Sequence, residues 1–329
     1  MHAAFYDRTG PAAEVLQLGE LPVPEPGPGE VRVHLRWSGV NPSDVKSRAG
    51  LRSAVMPFAR VVPHSDGMGV VDAVGPGVTE ARIGERVWVW NAAWGRPMGT
   101  AAEYVVLPQR QAVPLPEAAS DEAGACLGIP ALTALHAVRM AGGVEGKTVL
   151  VAGGAGAVGY YALQFAKLLG AAQVISTVSG EAKADIAREA GADLAIDYRR
   201  EDVAARVREA TSGAGVDRVI EVDLAANGRL DTELLRPGGE CVVYGSGQSD
   251  LSLPFFPLIA KNLSLHFFIV YHLSDADRRA AESALHSALA AGQLRHRIAA
   301  RLPLSEVARA HALVEDGQTV GKVVLRVSG

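Results

Sequence analysis

The clearest chemical potential in the chain lies in Val149-Leu150-Val151-Ala152-Gly153-Gly154-Ala155-Gly156-Ala157-Val158-Gly159. A buried-type strand runs straight into a GxGxxG turn that opens a helix, the arrangement that binds a dinucleotide. Gly154 is expected to permit the tight turn, Gly156 to let the backbone approach a pyrophosphate, and Gly159 to let the helix from 157 to about 169 pack closely on its strand. The first amides of that helix have no intrahelical acceptor and can face an anion. With 36 glycines in 329 residues the spacing alone is weak, so the context carries the assignment. An apolar strand at 147–152, helical apolar spacing through Leu163, Phe165, Ala166 and Leu169, a stop at Gly170 and a strand at 173–177 make up the βαβ unit the motif requires.

In such a fold an Asp or Glu closing the second strand, about 20 residues beyond the glycines, holds the adenosine ribose 2′-hydroxyl of NAD. Here that strand closes as Ser176-Thr177-Val178-Ser179-Gly180, with no acid. A carboxylate would repel a 2′-phosphate, so its absence leaves room for NADP(H). Lys183 follows to supply a cation, and Tyr198 closes the third strand where an adenine or phosphate could rest. The alternatives are a Lys183 that is only a solvated helix residue, and a strand end displaced by a few residues, in which case Glu181 would reach the ribose. The reading favours NADP(H).

These residues need elements to hold them. A chain of 329 residues predicts two domains. With 48% hydrophobic residues and a mean hydropathy of +0.13 it can bury a large core. A formal charge of −4 and a pI near 6.2 give no bulk attraction to nucleic acid or anionic membrane. Cys126 and Cys241 are too few for a disulfide framework or a four-cysteine zinc lobe. No signal-peptide pattern and no apolar run of about 18 residues is present, which points to the cytoplasm.

Up to about residue 122 the chain reads as β-rich, with strands expected at 31–37, 67–74, 86–90 and 103–106 between Gly and Pro turns, a pattern that suggests a compact barrel. From about 123 helix and strand alternate. Strands are expected at 173–177, 194–197, 216–222, 240–244 and 263–270, and helices at 130–140, 181–190, 202–211 and 227–235, which makes a six-stranded doubly wound sheet. The stretch 274–329 holds an Ala-rich helix, a helix near 304–314 and a strand at 322–327, and its pattern does not say which domain it joins.

The chain resembles the medium-chain dehydrogenase/reductase superfamily, and within it the zinc-independent, zeta-crystallin-like quinone oxidoreductases. The likeness rests on Ser38-Gly39-Val40-Asn41-Pro42-Ser43-Asp44, Gly84-Glu85-Arg86-Val87, Gly99-Thr100-Ala101-Ala102-Glu103-Tyr104, Gly128-Ile129-Pro130-Ala131-Leu132-Thr133-Ala134, the glycine turn, and Gly321-Lys322-Val323-Val324-Leu325. It implies a doubly wound parallel Rossmann sheet, 123–267, inserted into a β-rich, partly open GroES-like barrel made of 1–122 and 268–329, with the nicotinamide in the cleft between them. Zinc alcohol dehydrogenases of the same superfamily carry a Cys where this chain has Asn41, a His where it has Ser65, with His64 one residue early, and a further ligand where it has Ile129. The resemblance therefore implies no metal.

Carried over residue by residue, the likeness places Ala155, Gly156, Ala157 and Val158 at the pyrophosphate and Ser179, Lys183 and Tyr198 at the 2′-phosphate. It places Asn227, Tyr244, Gly245, Ser246, Gly247, Phe268, Ile269 and Val270 along the ribose and nicotinamide, with Thr133 and Lys322 as further contacts. Asn227 also reads as a helix N-cap, and 268–270 as a core strand. Relatives with a Tyr five positions after the Asn can use it near the nicotinamide, but here that position is Lys46, with Arg48 close by. Trp90, Trp94 and Met98 could cover the cleft. The implied activity is hydride transfer from NADPH to a quinone or an α,β-unsaturated carbonyl, with Asn41 donating a hydrogen bond to the acceptor oxygen and Lys46 stabilising its charge. A homodimer is implied as well. The alternative is an NADPH-binding structural or RNA-binding protein with little turnover, against which the acidic balance and the lack of an aromatic-basic motif argue.

Overall fold

The computed structural model describes residues 1–53, 55–317 and 319–328. The chain packs as two units, Met1–Pro130 with Glu282–Gly329, and Ala131–Ala281. Elements are numbered along the chain.

The first unit holds β1 (His2–Phe5), β2 (Gln17–Glu20), β3 (Glu30–Val40), β4 (Asp66–Val74), β5 (Arg86–Val89), β6 (Tyr104–Pro108), β7 (Ala112–Pro114), β14 (Ile298–Pro303) and β15 (Lys322–Arg326). Its helices are α1 (Ala12–Val15), α2 (Pro42–Arg48), α3 (Asp121–Gly124) and α11 (Val307–Glu315). The main sheet runs β14-β15-β3-β4-β5-β7 with β6 also paired to β3, and it does not close. Along β3, Val31, Val33 and Leu35 point inward at every second residue and pack with Val71, Val87 and Val105. β1 and β2 form a separate antiparallel pair that the sequence reading lacks, because β2 (Gln-Leu-Gly-Glu) shows almost no buried face. The C-terminal stretch joins this unit. β15 pairs antiparallel with β3 through Val323–Val40, so Lys322 enters beside the start of α2.

The second unit carries β8 (Thr148–Ala152), β9 (Gln173–Val178), β10 (Leu194–Asp197), β11 (Val216–Glu221), β12 (Leu235–Val243) and β13 (Ser264–Phe267). Its helices are α4 (Leu132–Arg139), α5 (Ala157–Leu168), α6 (Glu181–Glu189), α7 (Val203–Ala210), α8 (Leu224–Leu234) and α9 (Phe255–Ala260), and α10 (Asp275–Ala290) begins in it. All six strands are parallel in the order β10-β9-β8-β11-β12-β13, a doubly wound sheet whose order reverses beside β8. Covered on both faces, β8 is apolar at Val149, Leu150, Val151 and Ala152 without alternation. The expected strand at 263–270 stops at Phe267, and a 3₁₀ turn, Val270–His272, follows. Beyond it, Arg278 Nη2 donates to Val270 O at 2.5 Å and Arg139 Nη1 to Ala280 O at 3.0 Å, which ties the chain up to about residue 280 to this unit.

Candidate functional site

In the second unit the glycines divide their work differently from the sequence expectation. The left-handed turn residue is Gly153, at φ +67°, not Gly154. Gly154 is needed for packing, since a Cβ there would lie 2.8 Å from Leu163 Cδ1 and closer still to Ser176 Oγ. Gly159 lies on the Gly153–Gly154 backbone, with the Gly153 carbonyl carbon and Gly154 Cα only 2.9 Å from where its Cβ would be. Gly156, the exposed N-cap of α5, has a single neighbour near that position, Gly153 O at 3.2 Å. The Tyr160 N–H closes the first helical bond on Gly156 O at 2.9 Å, so those of Ala157, Val158 and Gly159 lie in the first turn, where no intrahelical acceptor exists. Ala155 is buried, whereas Ala157 and Val158 are half-buried beside the open face of Gly156.

Where β9 ends, Lys183 Nζ donates to Ser179 Oγ at 3.0 Å, and the Tyr198 N–H donates to Val178 O at 3.0 Å, which sets Tyr198 beside them. Glu181 is exposed and ion-paired with Arg188 at 2.9 Å. No acid stands between Gln173 and Gly180.

The ribose and nicotinamide candidates are held by two carboxylates. Asp223, not Asn227, caps α8, and it also accepts the Gly247 N–H at 2.7 Å. Asn227 lies inside α8 and donates from Nδ2 to Glu221 Oε1 at 3.0 Å. The Tyr244 N–H reaches Glu221 O at 3.1 Å, burial raises the Tyr244 hydroxyl pKa, and a Cβ on Gly245 would strike Val222 O. Ser246 Oγ closes a turn on Gln248 O. Phe268 sits edge-on to His136 at 4.7 Å, Ile269 is exposed, and Val270 is buried. Thr133 is buried with no hydrogen-bond partner for its hydroxyl among the described residues.

In the first unit a buried polar cluster gathers Asn41, Asp44, Asp66 and Lys322. Lys322 Nζ donates to Asp66 Oδ2 at 2.8 Å and to Asn41 Oδ1. Asn41 Nδ2 donates to Asp66 Oδ2 at 2.8 Å and its side chain also bonds Asp44, while the Asn41 N–H donates to Asp44 Oδ2 at 2.8 Å. Burial, and then the charge of Asp66, push Asp44 up to about 7. Burial also raises Asp66, against the opposing pull of Lys322. Glycine is required around the cluster: a Cβ on Gly39 would lie 2.7 Å from Lys322 Cε, and one on Gly128 would strike Asp66 Oδ1.

This geometry places two of the expected site residues inside the cluster. Asn41 uses both ends of its amide there. Lys322 is 3% exposed and donates to Asp66 and Asn41. Arg48 is likewise turned inward, fully buried against Gly10 O and Glu315 at 2.9 Å. Lys46 is half-buried on α2. Trp90 is buried, and Trp94 partly exposed.

Sequence reasoning missed Asp44 and Asp66 as the partners of Asn41, although Asp44 closes the motif that holds Asn41 and Asp66 directly follows Ser65. It also missed a hydrogen-bond chain beside them. Thr100 Oγ1 donates to Asp66 O at 2.5 Å, so it accepts from Ser38 Oγ at 2.8 Å. Ser38 in turn accepts from His64 Nδ1–H at 2.8 Å, which leaves His64 Nε2 to accept from His311 Nε2–H at 2.9 Å. His311 Nδ1 ends the chain as a bare acceptor with no partner among the described residues. Nothing short of the fold could pair residues 247 positions apart.

Comparison with known proteins fits both units. Residues 27–117 match the alcohol dehydrogenase GroES-like domain and residues 157–287 the zinc-binding dehydrogenase family. A quinone oxidoreductase of Pseudomonas aeruginosa is 34% identical over 95% of each chain. The chain belongs to the medium-chain dehydrogenase/reductase superfamily, among its quinone-oxidoreductase-like members. It is therefore an oxidoreductase. A 2-haloacrylate reductase of a Burkholderia species is 32% identical over 99% of this chain and 98% of its own. Among solved structures, an NAD-dependent alcohol dehydrogenase matches all of both chains at 34% identity and a TM-score of 0.91. A mycobacterial protein complexed with NADPH matches 99% of this chain and all of its own at 32% identity and 0.88.

The zinc of some superfamily members does not suit this donor set. The three positions where zinc relatives ligate do converge, since Asp66 bonds both the Asn41 side chain and the Ile129 amide. They present an amide, the Ser65 hydroxyl and an isoleucine, with the Lys322 ammonium supplying the positive charge. The second unit does suit a nicotinamide dinucleotide. The Gly156 face is open, the first-turn amides of α5 lie beside it, and the Thr133 hydroxyl lacks a partner.

Proposed function

We propose that this oxidoreductase is an NADPH-dependent reductase that passes hydride to a quinone or an α,β-unsaturated carbonyl without a metal. The observation that carries the cofactor choice is the carboxylate-free end of β9, where Lys183 is hydrogen-bonded to Ser179 and Glu181 is engaged by Arg188. A cation and a hydroxyl with no facing acid suit a 2′-phosphate and disfavour the bare ribose hydroxyl of NAD. When bound, NADPH supplies a hydride from C4 of its nicotinamide ring. On this reading Gly156, Ala157 and Val158 bind the pyrophosphate through the start of α5, and Thr133 gives its hydroxyl to the nicotinamide side. Asn227 and Tyr244 to Gly247 shape the ribose side, with Phe268, Ile269 and Val270 beside them. Lys46 stabilises the negative charge that develops on the acceptor oxygen, and Asn41 acts indirectly by fixing Lys322 and Asp66. The quinol or enolate product takes its proton from solvent.

The same reading includes a homodimer in the cytoplasm. β13 is an edge strand, and Phe267 on it and Phe255, Phe256 and Ile259 on α9 are exposed. An unpaired edge flanked by aromatic surface is what a second copy would cover around a twofold axis. Both cysteines are buried and unbridged, and no described helix is long and apolar enough to cross a membrane.

The test is NADPH oxidation across quinones, enones and aldehydes with a metal chelator present. Turnover of quinones or enones that survives chelation supports the reading, and activity abolished by chelation overturns its metal-free part. Lys183→Glu is expected to raise the NADPH KM far more than the NADH KM. Equal effects on the two would overturn the 2′-phosphate assignment.

A further inference from the structure

Below the Tyr244–Gly247 segment lie two carboxyl groups that hydride transfer does not use. Glu221 ends β11 fully buried, and Asp231, on α8, is 3% exposed. One oxygen of each, Glu221 Oε2 and Asp231 Oδ2, has no N–H or O–H donor among the described residues. The two side chains are nonetheless within hydrogen-bonding reach of each other. Two carboxylates cannot make that bond, because neither has a hydrogen to give. The other oxygen, Glu221 Oε1, is fully used: it accepts the Asp223 N–H at 2.5 Å and Asn227 Nδ2 at 3.0 Å. Asp223 then holds the Gly247 N–H. A continuous path therefore runs from Asp231 through Glu221 and Asp223 to Gly247, all within the second unit.

We propose that Asp231 is a positioning residue for the cofactor loop, acting through Glu221: one proton shared by the two carboxyl groups keeps Glu221 Oε1 aimed at Asp223 and Asn227. The proposal rests on the assignment of Asn227 and 244–247 to the cofactor. A buried carboxyl pair keeps one proton, since ionising both would set two like charges side by side in a dry site. Burial, then the charge of Glu221, hold Asp231 far above the usual carboxylate range, and burial also raises Glu221. The other titratable groups that feel the pair are the Cys241 thiol and the Tyr244 hydroxyl of the neighbouring strand and its end, and both are pushed up as well. Among the described residues, no cation acts on Asp231. Alkaline pH should therefore remove the shared proton, drive the two groups apart and loosen the amides that Glu221 and Asp223 hold.

Two arms test this. In the first, KM for NADPH is measured with kcat from pH about 7 to about 10. The wild-type KM is expected to rise about tenfold over this range, roughly one pKa unit of coupling, with kcat changing far less. Asp231→Asn keeps a donor for Glu221 but has no proton to lose, so its KM should stay flat over the same range. The second arm follows amide exchange of Asp223 and Gly247 in the cofactor-free protein. Their protection should fall at alkaline pH in the wild type and not in Asp231→Asn. The same alkaline rise in both proteins, or unchanged protection in the wild type, overturns the proposal. If NADPH fails to bind at every pH, the cofactor assignment falls, and the exchange arm alone decides the role of Asp231.

Discussion

Alanine at Gly159 and alanine at Gly156 should separate the two roles of the glycine turn. At Gly159 the change gains at most about 1 kcal/mol of helix propensity. The added methyl, however, would lie 2.9 Å from Gly153 C and Gly154 Cα and closer still to Gly153 O, and all three are backbone atoms that no rotamer change can move. Overpacking of this kind costs about 1–3 kcal/mol, and a clash with three fixed atoms belongs at the upper end, so the net loss should be about 1–2 kcal/mol. Relief requires α5 to slide away from its strand, which displaces the Ala157 and Val158 amides. One lost hydrogen bond to a charged group, about 1.5–3 kcal/mol, corresponds to a rise in Kd of about 10- to 150-fold. Gly156→Ala meets only Gly153 O, at 3.2 Å, at an exposed position, and should change stability by less than about 1 kcal/mol. Its methyl nevertheless fills the space a pyrophosphate needs, so binding should weaken about tenfold or more. Urea unfolding gives the stability changes and calorimetric titration with NADPH gives the affinities. Gly159→Ala unfolding within about 0.5 kcal/mol of wild type would refute the packing reasoning. Gly156→Ala with wild-type affinity would refute the placement of the pyrophosphate.

The buried histidine pair should make the first unit sensitive to acid. Burial first, and then Arg48, lower His311 to about 3, and burial with His311 and Lys322 holds His64 well below its usual value. The fold therefore favours the neutral rings. Their contribution is complete above the unfolded pKa of about 6.5 and is lost as pH falls below it, by up to about 1.4 kcal/mol per pH unit for each ring. His311→Gln, whose amide can still donate to His64, should flatten this limb in thermal unfolding followed against pH, and an unchanged limb would count against the pair. Lys322→Met should cost about 3–5 kcal/mol in denaturant unfolding by leaving Asp66 buried without its cation. Lys322→Met with Asp66→Asn should recover much of that loss, and no recovery would mean the ion pair is not what the cluster depends on. Phe267→Lys with Ser264→Pro should convert a dimer to a monomer in light scattering at unchanged fold, and a mass unaffected by both changes would remove β13 as the interface.

Much of the fold was legible because each signal was local. The apolar run of β8 followed by closely spaced glycines announces a strand, a turn and a helix within about twelve residues, and the acid-free end of β9 is visible in five. Strands such as β10, whose ends at 194 and 197 agree with the expected ones, lie in a parallel sheet that demands apolar residues on both faces. β2 was not legible because half-exposed strands on a two-stranded ribbon need no apolar pattern. The role of Gly154 was misjudged for a related reason. Whether a glycine serves a dihedral angle or a close neighbour depends on Ser176, 22 positions away, and only the packed sheet brings that side chain to it.

The sequence alone determined the superfamily, the alternation of strand and helix, the dinucleotide turn and the missing acid at the end of β9, since each follows from residue types within one or two elements. Tertiary structure decided which polar side chains are free to act. Asn41, Lys322 and Arg48 read as candidates along the chain, but Asp66, Asp44 and Glu315 consume them, and the pairing of β15 with β3 brings residue 322 to residue 41. A side chain's chemistry depends on what neutralises or hydrogen-bonds it. For buried groups those partners come from distant segments that only the folded chain brings together.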